Sequence, residues 1–320
     1  MSIFTKVLFG IVVALVILVL GLWLKLRGPD IPYETLEKKY ADAGSHFLDL
    51  PGGIHLHYRD EGKADGPVLV LLHGYGDSFT SWEGWVAALK DRFRLISLDF
   101  PGHGLTRAPV GYYLDGDQLA DLVDMAAARL QLSSFAVAGN SMGGGVAWRF
   151  AVRHPQHLKA LILVDAAAFP PESPPKEVPL AFRILQYRWG RKLLASIDNT
   201  PLIDQGLKAD VYDKSLITPG LVARWAEFQR APGHRDILMA INPGKQLAAT
   251  TEVLARIQAP TLVMHGEADV LIEPASSRRV AAAIPNARLL LYPQVGHLPQ
   301  IEIPQRSAAD VAEFLAGIQI

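Results

Sequence analysis

Hydrophobic and polar positions follow three different rhythms along this chain, and each predicts a different kind of element. From Val7 to Leu24 no charge interrupts roughly 18 residues dominated by Val, Ile and Leu, close to the minimum that crosses a bilayer as a helix. Lys6 precedes the run, and Lys25 and Arg27 follow it. The apolar stretch passes through Trp23 into Lys25 with no small-residue cleavage site, which predicts an uncleaved single-pass anchor rather than a signal peptide. A buried core helix would mix polar positions into one face, and this stretch does not. The flanking charges nearly balance, with Lys38 and Lys39 adding a slight cytoplasmic pull, so the side of the membrane stays open.

The second rhythm has a period of two. After the Gly52-Gly53 turn, His55, His57 and Arg59 alternate with Ile54, Leu56 and Tyr58, the pattern of a half-exposed strand. Continuous apolar runs come next, at Val68 to Leu72, Leu95 to Leu98, Phe135 to Ala138, Leu161 to Val164, Thr261 to Met264 and Leu289 to Tyr292. Strands buried on both faces read this way. Between them lie helical stretches at Trp82 to Lys90, Gln118 to Leu130, Gly143 to His154, Pro274 to Ala283 and Ala308 to Leu315. Strand and helix alternate, so the expected architecture is a mostly parallel, doubly wound α/β sheet.

That alternation stops between Ala168 and about Thr250. A Pro-rich turn (Pro170, Pro171, Pro174, Pro175) opens a mostly helical stretch carrying Phe182, Tyr187, Trp189, Tyr212, Trp225 and Phe228. It reads as an inserted cap, with these aromatics forming its core. The expected divisions are an anchor at 1–27, a juxtamembrane linker with one short helix at 28–44, a core at 45–167 and 251–320, and the cap at 168–250.

Composition narrows the function. Lys+Arg at 31 against Asp+Glu at 32 leaves a formal charge of -1, so no global positive field gathers nucleic acid. With Cys 0 the chain has no disulfide, thiolate metal site or cysteine nucleophile. His55 and His57 invite a metal reading, but no carboxylate or further histidine stands at helical or hairpin spacing to complete a site. Neither a metal nor a cofactor is expected.

Gly139-Asn140-Ser141-Met142-Gly143 falls between a predicted buried strand and a predicted helix. This is the G-x-S-x-G nucleophile elbow in its proper context. The turn is expected to lift the Ser141 hydroxyl out of the sheet and set the Met142 N–H beside a developing oxyanion. A serine hydroxyl needs a base, and His297 lies on a loop past the last predicted strand, at the same edge of the sheet. Its imidazole needs a carboxylate on the far nitrogen. Asp269, after the strand Thr261 to Met264, is the expected partner, with Asp165 at the end of the strand before the cap as rival and Glu267 as a remote third. The second oxyanion donor is expected to be the Tyr75 N–H, in the loop His73-Gly74-Tyr75-Gly76. Gly74, Asn140 and Leu298, beside these groups, are expected to meet the substrate. The turn from Asp99 to Gly104 reads as architecture.

Together, His73-Gly74, Asp99 to Gly104, Gly139 to Gly144, Gly266 to Asp269 and Gly296-His297 resemble the α/β-hydrolase superfamily from about Ser45 to the end of the chain. The stretch Gly139 to Gly144, with Val211 to Thr218 and Arg224-Trp225, is similar to the meta-cleavage-product hydrolases, which split carbon-carbon bonds in ring-fission dienoates. Those enzymes generally carry Trp directly after the catalytic His, where this chain has Leu298. Relatives with an aspartate nucleophile, the dehalogenases and epoxide hydrolases, are disfavoured by Ser141. The expectation is a serine hydrolase of the carboxylesterase or lipase kind, acting on a hydrophobic small-molecule ester and held to the bilayer through residues 7–24. Carbon-carbon hydrolysis, a cofactor-free perhydrolase and a non-catalytic binding module are the alternatives.

Overall fold

A computed structural model describes residues 2–170, 180–240 and 248–318. Helix α1 (Ile3–Leu26) has no buried residue. Helix α2 (Tyr33–Tyr40) follows, and then the strands β1 (Ser45–Leu50), β2 (Ile54–Gly62), β3 (Val68–Leu72), β4 (Arg94–Leu98), β5 (Phe135–Asn140), β6 (Leu158–Val164), β7 (Thr261–Gly266) and β8 (Ala287–Tyr292). They form one sheet in the order β1-β2-β4-β3-β5-β6-β7-β8. Only β2 runs antiparallel to its neighbours, so all strands from β3 on point their carboxyl ends to one edge. That edge is where crossover loops can gather functional groups.

Helices cover both faces, which is why the strands from β3 to β7 read as mostly apolar runs. Helix α3 (Glu83–Leu89) packs Trp85 and Leu89 on one face. On the other, α4 (Gly116–Arg129) and α5 (Met142–Arg153) pack Leu119, Leu122, Val146 and Phe150 against Val70, Leu72 and Val137. Between β6 and β7 come α6 (Leu180–Leu185), α7 (Arg188–Ser196), α8 (Thr200–Asp210), α9 (Pro219–Gln229), α10 (His234–Ala240) and α11 (Thr251–Leu254). The Ala249 N–H donates to the Ala168 carbonyl at 3.0 Å, so this excursion leaves and re-enters the core at one place. Past β7, α12 (Pro274–Ala283), α13 (Pro299–Glu302) and α14 (Pro304–Ala316) complete the chain, with α14 beside α3.

Three expectations need correction. The strand predicted as half-exposed is β2, but β1 pairs along its outer edge and His57 is fully buried, its Nδ1 2.7 Å from Asp99 Oδ2. The segment 28–44 does not hang free: Tyr33 and Leu36 are buried against Phe79, Leu105 and Phe228, and the Tyr33 hydroxyl lies 2.9 Å from His234 Nε2. Among the aromatics assigned to the cap core, Trp225 and Phe228 are buried, whereas Tyr187, Trp189 and Tyr212 are exposed by 56%, 62% and 52%. A side chain's period does not say which neighbouring helix will arrive to cover it. Pro171, Pro174 and Pro175 lie outside the described residues, as does the environment of the Phe182 side chain.

Candidate active site

Strand β5 ends at Asn140 and α5 begins at Met142, leaving Ser141 alone in the turn with φ 53° and ψ -116°. A non-glycine residue there is strained and persists only when its surroundings over-determine it. They do so here: the Ser141 N–H donates to the Val164 carbonyl at 3.0 Å, and the Ser141 carbonyl accepts from the Ala167 N–H at 2.9 Å. The flanking glycines are required by contact, since a methyl group at Gly139 would overlap the Gly143 carbonyl and one at Gly143 would overlap that of Leu72. Ser141 is half-buried at the sheet's carboxyl edge, with the Met142 N–H in the first turn of α5, where helix N–H groups have no partner within the helix.

His297 is buried on the loop between β8 and α13, its Nδ1 2.7 Å from Asp269 Oδ2. The other oxygen of Asp269 accepts the N–H groups of Leu271 at 2.7 Å and Ile272 at 3.0 Å, so the carboxylate cannot turn away. Burial works against charge on the His297 ring, but the Asp269 charge and hydrogen bond outweigh it and hold the imidazole's pKa above its ordinary value. On Asp269, burial raises the pKa, and His297 more than offsets it, so the net shift is downward.

Asp165 is also buried at the rim, but its Oδ1 accepts the Gly266 N–H at 3.0 Å and it makes no hydrogen bond to His297. Burial, and then the nearby Asp269 charge, push its pKa well above the usual carboxylate range. Glu267 is exposed and faces Arg278 at 4.0 Å. Asp165, His265 and Asp269 bring one donor atom each within 4.8 Å of one another. The His265 ring is already engaged by Ser277 at 2.8 Å and the Ile272 carbonyl at 3.0 Å, and burial holds its pKa down at about 4. With Asp269 committed to His297, this cluster reads as a packed hydrogen-bond network.

No hydrogen bond joins the Ser141 hydroxyl to His297; the two are brought to one rim through Asn140. Asn140, expected to meet substrate, is fully buried, and its Nδ2 donates to the carbonyls of Val164 at 3.2 Å and His297 at 3.1 Å. It positions the histidine loop beside the serine. Leu298, another expected contact, packs with Leu207, Val211 and Trp225 in a cluster shared with the inserted helices. Gly74 lies against Ser141, since a methyl group on it would stand 3.4 Å from Ser141 Cβ. The Tyr75 hydroxyl donates to the Leu238 carbonyl at 2.7 Å, which ties the loop after β3 to α10.

The residue that sequence reasoning missed is Asp210, the last of α8. Its carbonyl accepts the His297 N–H at 2.6 Å, while its side-chain Oδ1 is buried without a hydrogen-bond partner among the described residues. Burial pushes its carboxyl up to about 7, against the pull of His297. An acid at a helix end looks like a solvated residue in sequence, and only the packing of α8 on the His297 loop reveals otherwise. Its charge favours the protonated His297 ring. In Asp210→Asn that contribution disappears, His297 gives up its proton at lower pH, and the acid limb of kcat/KM moves to lower pH; a limb that stays or rises contradicts this coupling.

Comparison with known proteins adds to this geometry. The model of the alpha/beta hydrolase fold family matches residues 67–304. The chain belongs to this family. Among relatives of this α/β hydrolase is the pimeloyl-[acyl-carrier protein] methyl ester esterase of Nitrosomonas europaea, 28% identical over 257 residues, covering 77% of this chain and 94% of that protein. Another is the 2-hydroxy-6-oxo-2,4-heptadienoate hydrolase of Pseudomonas putida, 28% identical over 284 residues, with 84% and 95% covered. The crystal structure of a membrane phospholipase A shares the fold at a TM-score of 0.71 and 23% identity, with 98% of each chain covered. The relatives of this α/β hydrolase thus include both an esterase and a dienoate hydrolase.

Proposed function

We propose that this α/β hydrolase cleaves a hydrophobic carboxylic ester through an acyl-enzyme and does so while anchored in a membrane. His297 Nε2 takes the Ser141 proton as the hydroxyl oxygen attacks the ester carbonyl, and the N–H groups of Met142 and Tyr75 receive the negative oxygen. The protonated ring then gives its proton to the departing alkoxide. Water repeats the sequence on the acyl-enzyme and releases the acid, with no metal or cofactor needed. The observation carrying this reading is the 2.7 Å bond from His297 to a doubly held Asp269, on a loop tied to the residue next to Ser141.

The nearby cavity favours an ester over a dienoate. Tyr75 and Gly76 line it together with Leu202, Leu207, Leu238 and other apolar groups of the inserted helices, and its ionisable group is the acid Asp210. A ring-fission dienoate is itself a carboxylate, and no lysine or arginine among the described residues lines this cavity to receive it. The test is turnover of p-nitrophenyl esters of graded chain length beside a ring-fission dienoate. Ester hydrolysis with far slower dienoate turnover supports the proposal, and the reverse order overturns it.

Helix α1 is long and apolar enough to cross a membrane, and its end is built into the body. The Leu26 carbonyl accepts the Asp198 N–H at 2.7 Å, Arg27 bridges to Ile197, and Asp30 pairs with Arg235 at 2.6 Å. This sets α7, with exposed Trp189 and Leu193, beside the point where the chain would leave the bilayer; aromatic side chains favour such interfaces. A chain beginning at Pro29 should leave the membrane fraction yet stay folded. One beginning at Ser45 also loses the buried Tyr33 and Leu36, about 4 kcal/mol of apolar burial, and should melt at a clearly lower temperature. Sedimentation and thermal unfolding check both, and a Pro29 chain that still sediments with membranes overturns the anchor.

A further inference from the structure

Between Leu180 and Ile197 the sequence carries four cations, Arg183, Arg188, Arg191 and Lys192, and no acid. In a chain of formal charge -1 this is a local basic patch. Helix α7 sorts its residues by face. Gly190 and Leu194, one turn apart, are buried against the body. Trp189 and Leu193 form the next row and are exposed, and beyond them Arg188 and Lys192 form a third row, also exposed. Tyr187 stacks on Trp189 with ring centroids 5.9 Å apart, which widens the apolar row. Arg191 turns back to the Leu185 carbonyl at 2.9 Å, whereas Arg183, Arg188 and Lys192 meet no acid among the described residues. An exposed aromatic row flanked by cations suits a helix lying in the plane of a bilayer surface, with its rings among the headgroups and its cations level with the phosphates.

The attachment of α1 says which surface is at hand. The Gly28 N–H donates to the Ser196 carbonyl at 3.3 Å and the Asp198 N–H to the Leu26 carbonyl at 2.7 Å, so the last turn of α7 abuts the end of α1. From that junction back to Trp189 is about 12 Å along the helix axis. The whole row therefore lies within reach of the leaflet that α1 would leave. A two-fold contact with a second copy would instead set this basic row against itself.

We propose that α7 is an interfacial helix that seats the inserted helices on a leaflet containing anionic phospholipid. Trp189, Leu193 and Tyr187 enter between the headgroups, and Arg188 and Lys192 pair with their phosphates. This rests on the membrane-anchored reading above and names the lipid that the body meets. The inserted helices leave the core after β6, at the carboxyl edge where Ser141 emerges, so the contact turns the reactive edge toward the bilayer.

With no native cysteine, one introduced cysteine takes an environment-sensitive fluorophore without background. Leu193→Cys and Trp189→Cys report on α7, and Lys159→Cys, exposed at the start of β6 on the opposite edge of the sheet, is the control. The full-length chain is placed in nanodiscs of phosphatidylcholine with or without phosphatidylglycerol, with doxyl-labelled lipid as quencher. With phosphatidylglycerol, both α7 labels should shift to the blue and lose most of their emission to the doxyl lipid while the control does not change. The quenching should fall severalfold in molar salt, where the Debye length is about 3 Å, and in the double variant Arg188→Glu, Lys192→Glu. Labels as wet and as bright as the control overturn the proposal, as does quenching that is equal without phosphatidylglycerol or that survives the double variant. A blue-shifted label that doxyl lipid leaves bright means that a second copy covers α7, and overturns it as well. Failure of the anchor is distinguishable: discs of phosphatidylcholine alone would then hold no protein, and molar salt would release the whole chain from the others.

Discussion

On the proposed mechanism, Ser141→Ala should lower kcat for ester hydrolysis by roughly a millionfold, the scale set when the nucleophile of a serine-histidine-aspartate relay is removed, and should abolish labelling by a fluorophosphonate. The large size follows from chemistry as well as position. Once the hydroxyl is gone, His297 has no proton to take, and the relay beyond it, including the bond to Asp269, acts on nothing. What remains is positioning and any oxyanion stabilisation of direct attack by water. The substitution removes one oxygen and leaves φ 53° to a residue that still has a Cβ, so unfolding temperature should change little. A variant that keeps a tenth of the activity, or that is still labelled, means the nucleophile is elsewhere.

The second large effect separates two buried acids at the same rim. Asp269→Asn should lower kcat by about ten-thousandfold, because an amide at that position donates toward His297 Nδ1, moves the ring proton to Nε2 and removes the base. Asp165→Asn should leave kcat within about tenfold, since an amide there can still accept from the Gly266 N–H and Asp165 makes no hydrogen bond to His297. The two Asn variants therefore report on charge as well as contact. Equal losses in both would mean that Asp165 also acts on His297, and a small loss in Asp269→Asn alone would end the assignment.

Much of this molecule is legible in residue order. Strands covered on both faces show as mostly apolar runs because nearly every side chain in them is buried, and the glycines around Ser141 show because a Cβ there would meet backbone. These are local or nearly local constraints, so they leave a local mark. The choice between Asp269 and Asp165 is not of that kind: each follows a buried strand, and each is an acid at the same edge. What separates them is that the turn after β7 supplies two N–H groups to Asp269 and points its second oxygen at a loop 28 residues further on.

The residues that sequence reasoning misplaced share a cause. Asn140 looked like a substrate contact because it adjoins Ser141, yet the arrival of the His297 loop turns it into a brace. His57 looked half-exposed because alternation cannot reveal that β1 closes the edge and Asp99 waits beneath. Trp189 looked like core because hydrophobicity does not say whether another helix or a lipid surface will meet it. By itself, then, the sequence determined the layered α/β architecture, the sharp turn at Ser141 and the apolar helix that begins the chain. Only the tertiary structure decided which acid His297 meets, how Leu26, Arg27 and Asp30 tie the end of the apolar helix to the body, and where Asn199 and Asp210 line one cavity, because each depends on segments far apart in the chain packing against one another.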